Sequence, residues 1–117
     1  GMEPMLFMSW PYKNKPLMMQ ELRQEFIKAA NKNNILLIPA GEAFYSFTKA
    51  YPDIDLYTRD LRHPSKEGTY LAAAVVFATI FKTSVEGNQG IKDIDPEDAL
   101  KIQQVADSTI QEFFKGE

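Results

Sequence analysis

No cysteine occurs in this chain, and histidine and tryptophan each occur once. The first absence excludes a disulfide framework and thiolate metal sites, and leaves the compartment open. An excess of one charge is also missing. Acidic and basic residues are intermixed to a net −3, and no arginine-rich stripe marks a nucleic-acid surface. Long apolar runs are absent too. The longest, Tyr70 to Phe81, is broken only by Thr79; a bilayer needs roughly 20 residues, so a core helix is expected there and no membrane span. No secretory signal opens the chain, and Gly1-Met2 reads as a processing remnant before a start codon. Localisation stays unknown. A length of 117 residues suits one domain over 1–117 with a modest core.

What is present alternates between strand and helix patterns. Met5-Leu6-Phe7-Met8 is a continuous apolar run, as in a parallel-sheet strand buried on both faces. Asn14-Lys15-Pro16 opens a helix to about Asn33, with Met18, Leu22, Phe26 and Ala29 expected to face the sheet. Ile35-Leu36-Leu37-Ile38 is a second strand, stopped by Pro39 and Gly41. Strand, helix, strand is the unit of a parallel α/β sheet. Glu42 to Phe47 reads as a short helix, and Tyr51 to Arg59 as irregular. Ser65 caps a helix from Lys66 to Lys82 that is apolar nearly all round, and so should be buried on more than one side. A loop from Val85 to Asp93 contains Gly87 and Gly90. Asp95-Pro96-Glu97-Asp98 opens the last helix, whose inward stripe is Ala99, Ile102, Ala106, Ile110 and Phe113. The fold class is α/β, with about two parallel strands and three main helices.

The lone histidine carries the chemistry. His63 follows Asp60 by three residues in a loop, and Pro64 and a capped helix come directly after it. An imidazole titrating near ~6.5 can take a proton from a hydroxyl at neutral pH. It does so best when a carboxylate fixes its tautomer. At this spacing the pair meets through local geometry alone, with Pro64 restricting His63 to extended backbone.

The segment Leu56-Tyr57-x-x-Asp60-x-x-His63-Pro64-Ser65-x-x-Gly68-Thr69-Tyr70-Leu71-Ala72-Ala73 resembles the last conserved block, Asp-x-x-His, of the SGNH hydrolases, the GDSL-like lipases and esterases, in one bacterial branch. Met8-Ser9-Trp10, where relatives often carry Thr-Trp, and Ile38-Pro39-Ala40-Gly41-Glu42-Ala43-Phe44 add to the likeness. The resemblance implies a three-layer α/β/α, flavodoxin-like fold around a five-stranded parallel sheet. It implies hydrolysis of acyl or acetyl esters of carbohydrates or lipids by a Ser-His-Asp triad without a cofactor. His63 would be the general base and Asp60 its orienting partner. The Gly-Asp-Ser nucleophile block and the oxyanion-hole glycine and Gly-x-Asn blocks do not occur in these residues. The chain therefore corresponds to the C-terminal portion of the fold, expected to be inactive alone. A binding or assembly module that keeps part of the fold is the alternative.

Ser9 stands where α/β sites gather, as a pocket residue and not as the nucleophile. Trp10, with Tyr12, either lines a substrate cleft or is simply half-buried. Glu42 reads as a first-turn helix acid. Asp53, Asp55 and Asp60 do not have EF-hand spacing, and no metal is expected. Met2, Met5, Met8, Met18 and Met19 read as core filler. With only part of the sheet present, the Met5–Met8 strand becomes an apolar edge, which predicts a homo-oligomer joined there.

Overall fold

The structure is a computed structural model that describes residues 3–87 and 93–115. Gly1, Met2 and Gly90 lie outside the described residues. The order is β1 (Met5–Phe7), α1 (Met18–Asn33), β2 (Leu36–Ile38), α2 (Ala40–Ala50), α3 (Lys66–Phe81) and α4 (Pro96–Phe113). β1 and β2 pair in parallel, with Met5 opposite Leu36 and Phe7 opposite Ile38. The architecture is thus mixed α/β with two parallel strands. Among the described residues it holds four helices where three main ones and a short helix over Glu42 to Phe47 were expected, because α2 extends from Ala40 to Ala50. The radius of gyration is 13.9 Å, close to the ~13.4 Å of a compact chain of this length. Among the described residues no helix is long and apolar enough to cross a membrane.

Strand alternation divides the core in two. Leu37 and Met8 point to α1, where they pack with Met19 and Ala30. Ile38 points the other way, into a larger cluster of Phe44, Phe47, Leu56, Leu71, Val75, Ile102 and Ala106 built by α2, α3 and α4. The deepest α1 positions are Met19 and Ala30, one step from the expected Met18 and Ala29. Phe26 packs on the same cluster as expected, beside Ile27, and Arg23 turns toward α2 to meet Glu42.

The caps form as their sequences dictate. Ser65 Oγ accepts the Gly68 N–H at 3.1 Å, and Asp95 accepts the Glu97 N–H at 2.8 Å ahead of Pro96. α1 starts at Met18, two residues past Pro16, which instead sits in the turn that feeds it. The apolar expectation fails at β1. β1 is not buried on both faces: Met5 and Phe7 remain 44% and 39% exposed. α3 is buried toward α2, α4 and β2 as expected, through Leu71, Ala74, Val75 and Ala78 with Tyr70, Ala72 and Val76 packed beside them, and only Phe77, Ile80 and Phe81 face outward. No described element covers those surfaces.

Two glycines set how closely the site's supports approach. A β-carbon on Gly41 would lie 2.0 Å from the Ser9 carbonyl oxygen, and one on Gly68 would lie 2.2 Å from that of Leu56. Gly41 also donates its N–H to Met8 O at 3.0 Å, next to the Met8 N–H bond to Ile38 O at 2.9 Å. The exits of the two strands are therefore tied together, with the entry of α2 pressed against them.

Candidate functional site: the Asp60–His63 loop

Beyond Leu56 the chain folds back on itself. Tyr57 and Pro64 form an antiparallel bridge, Thr58 N–H donates to His63 O at 2.8 Å, and Leu61 N–H donates to Thr58 O at 3.0 Å. Leu61 takes the left-handed conformation, with φ of 64°, which costs a β-carbon-bearing residue roughly 1–2 kcal/mol. That turn brings the backbone N–H groups of residues 62 and 63 round to face the Asp60 carboxylate.

Asp60 Oδ1 accepts from His63 N–H at 2.9 Å, Arg62 N–H at 2.9 Å and the Thr58 hydroxyl at 2.8 Å. Asp60 Oδ2 meets His63 Nδ1 in a short contact. The His63 N–H, then the imidazole, the Arg62 N–H and the Thr58 hydroxyl hold the Asp60 carboxyl well below the usual carboxylate range. Ionised at neutral pH, it can only accept, so a neutral His63 must carry its proton on Nδ1. Nε2 is then left with its lone pair, on a side chain that is 78% exposed. That is the arrangement of an oriented base.

The loop rests on an aromatic floor. Trp10 stacks on Phe44 at 4.2 Å and 6°, and Phe44 meets Tyr57 edge-on at 5.8 Å. Trp10 Nε1 donates to the Arg62 carbonyl at 2.9 Å. Tyr57 donates its hydroxyl to Pro11 O at 2.8 Å, and burial pushes this phenol up to about 12. Lys13 N–H holds Leu61 O at 2.8 Å, and its ammonium pairs with Asp55 at 2.8 Å. Burial opposes ionisation of Asp55, but Lys13 and the Tyr57 N–H outweigh it and lower this carboxyl. The β1 exit, residues 8–13, thus runs beneath the histidine loop and fixes its backbone.

The structure joins Asp60 to His63 and brings Trp10 against the same loop. The Trp10 N–H is spent on the Arg62 carbonyl and its ring on Phe44, so its observed role is to support the loop. Ser9 is exposed, and its hydroxyl makes no hydrogen bond among the described residues. Ser65 is a helix cap and also donates to Asp55 O at 2.8 Å. Two contributors escaped the sequence reading. Thr58 is signalled only by lying two residues before the carboxylate. Arg62, whose guanidinium lies 4.6 Å from the Tyr12 ring centre, has no sequence signal, because Tyr12 is remote along the chain.

Cavities occur elsewhere. One of about 480 Å³ lies between Leu36, Ala78, Lys82, Ile110 and Phe114. Another of about 420 Å³ lies between Arg23, Glu42, Ser46, Thr109 and Phe113. Neither is lined by Asp60 or His63, so the imidazole stands on an open surface. Among the described residues no three histidine, cysteine or acidic side chains gather as metal ligands. No model of a known protein family matches this chain, and neither a curated protein nor a solved structure does.

Proposed function

We propose that this chain supplies the proton-transfer half of an SGNH-type serine ester hydrolase, with His63 as general base and Asp60 as the residue that orients it. The carrying observation is the contact of His63 Nδ1 with an anionic Asp60, which leaves Nε2 free toward solvent. In the reaction Nε2 would take the proton of a serine hydroxyl as that oxygen attacks an ester carbonyl, and would return it to the leaving alcohol. Asp60 stabilises the imidazolium formed between the two steps. The substrate class is an acyl or acetyl ester of a carbohydrate or lipid. The partial flavodoxin-like, three-layer reading of the fold belongs to the same proposal, with β1 and β2 as two of its parallel strands.

The open surface at His63 supports a site that is incomplete within these residues. The serine and the oxyanion-hole donors, worth about 10²–10³ in rate for a single donor, would lie on polypeptide outside them. A fluorophosphonate probe and p-nitrophenyl acetate test this directly. The 117-residue chain alone is expected to show no labelled serine and no turnover above background. Co-expression with the segment encoded immediately upstream, expected to contain Gly-Asp-Ser, should give labelling that His63→Ala abolishes. Labelling of Ser9 or any other serine of this chain alone would overturn the assignment.

A further inference from the structure

The cavity of about 480 Å³ opens where the C-terminal ends of α3 and α4 meet β2. Its apolar floor comes from all three elements. Leu36 starts β2, Ala78 lies in the last turn of α3, and Ile110 and Phe114 close α4. Its described lining includes no β1 residue, so it does not depend on what pairs with the β1 edge. The volume is that of a small-molecule site, which is typically apolar with a few polar groups that orient the ligand.

Two charged side chains line the cavity, Asp107 and Lys82, and they are not equivalent. Asp107 is committed within the chain. Its Oδ1 accepts the Val85 N–H at 3.0 Å, and its Oδ2 accepts the Ser84 hydroxyl and, at 3.3 Å, the Glu86 N–H. Those bonds pin the segment that leaves α3. Lys82 is exposed and forms no ion pair among the described residues. Its backbone is fixed, because it closes α3 in the left-handed conformation with its N–H on Ala78 O at 3.0 Å. Thr83 and Gln111 also line the cavity, and neither side chain makes a hydrogen bond among the described residues.

We propose that this cavity binds a carboxylate-headed amphiphile, a medium-chain fatty acid, with its tail on the floor and its head at Lys82. An alkyl tail needs a wall that leaves no polar group unpaired when water is displaced, and Leu36, Ala78, Ile110 and Phe114 give one. The head needs an uncommitted cation, because a charge-assisted hydrogen bond is the strong kind. Lys82 provides it, with the Thr83 hydroxyl and the Gln111 amide as further donors. A cationic head is disfavoured, since it would meet Lys82 while the Asp107 oxygens are already taken. Neither Asp60 nor His63 lines the cavity, so the site stands whether or not His63 acts as a base.

Nitrogen-15 NMR titration of the full chain with decanoate, kept below its micelle concentration, tests the site. The amides of Thr79, Thr83, Ile110 and Gln111 should shift along one saturable, one-to-one curve. Octanoate should bind at least fivefold more weakly, since each buried methylene contributes roughly three- to fourfold. Decanol and decylamine should likewise bind at least fivefold more weakly than decanoate. Lys82→Gln should weaken decanoate at least fivefold and leave decanol unchanged. Gln111→Trp, at an exposed helix position, should block both by filling the mouth. Ser46→Trp, at the other cavity, should block neither. The absence of a saturable shift by about 1 mM decanoate overturns the proposal. So does decylamine binding as tightly as decanoate, or a set of shifts centred on the exposed Phe77 and Phe81 instead of the cavity.

Discussion

Glu42 and Asp60 each hold a basic side chain, and they do so in opposite ways. Glu42 receives Arg23 with two hydrogen bonds, one from Nε and one from Nη2 at 3.1 Å, joining α1 to α2. Its side chain is only 16% exposed, and the guanidinium is held above its usual pKa, first by the hydrogen bond to Glu42. Neither partner has a free reactive face. Asp60 receives an imidazole three residues away, in the open, and spends its remaining capacity on two backbone N–H groups and a hydroxyl. The first pair fixes the packing of two helices. The second fixes the direction of one nitrogen lone pair and contributes little to packing. Shielding and distance in sequence separate the structural ion pair from the pair proposed to orient a base.

The contrast can be sharpened by substitution. The largest effect is expected at the supports of the loop. Gly68→Ala and Gly41→Ala drive a β-carbon into backbone carbonyls at 2.2 and 2.0 Å, and each should lower the unfolding free energy by about 3 kcal/mol or more, because backbone cannot step aside as a side chain can. Urea titration measures it, and a loss below about 1 kcal/mol would show that these contacts relax readily. Next comes Glu42→Ala, which strands a partly solvated Arg23 and should cost about 1–2 kcal/mol, less than a fully buried pair would. Trp10→Phe keeps the stacking on Phe44 but removes the N–H bond to Arg62 O. It should cost about 1 kcal/mol and speed amide exchange across residues 61–63.

Alkaline titration probes the same floor. The buried Tyr57 phenol titrates at about 12, against ~10 when unfolded. The neutral form is therefore favoured by folding. Its contribution is whole below pH ~10 and is lost as the pH rises toward 12. Thermal unfolding of the wild type should fall in that window. Tyr57→Phe, less stable at neutral pH through the lost bond to Pro11 O, should fall less.

Local features were legible in the sequence, and remote ones were not. The Asp60–His63 contact spans three residues and needs only a turn, so its spacing revealed it. The Ser65 and Asp95 caps were legible for the same reason. Arg23–Glu42 spans 19 residues and Trp10–Arg62 spans 52; both depend on how helices and loops dock, which no local pattern encodes. The inward stripe of α1 was legible at Phe26, which packs on the Met8–Met19 cluster, whereas its deepest positions, Met19 and Ala30, lie one step past Met18 and Ala29, a rotation set by docking that spacing alone does not encode. Apolar content placed β1 and α3 correctly along the chain but not the exposure of Met5 and Phe7, since hydrophobicity states what a surface needs and not whether this chain supplies it.

The tautomer of His63 tests the central claim most directly. Nitrogen-15 NMR of the neutral imidazole should show Nδ1 protonated and Nε2 bare, the reverse of the tautomer preferred by free histidine, and Asp60→Asn should abolish that bias. A neutral ring protonated at Nε2 in the wild type would mean that Asp60 does not orient it, and His63 would then have no claim to be a poised base.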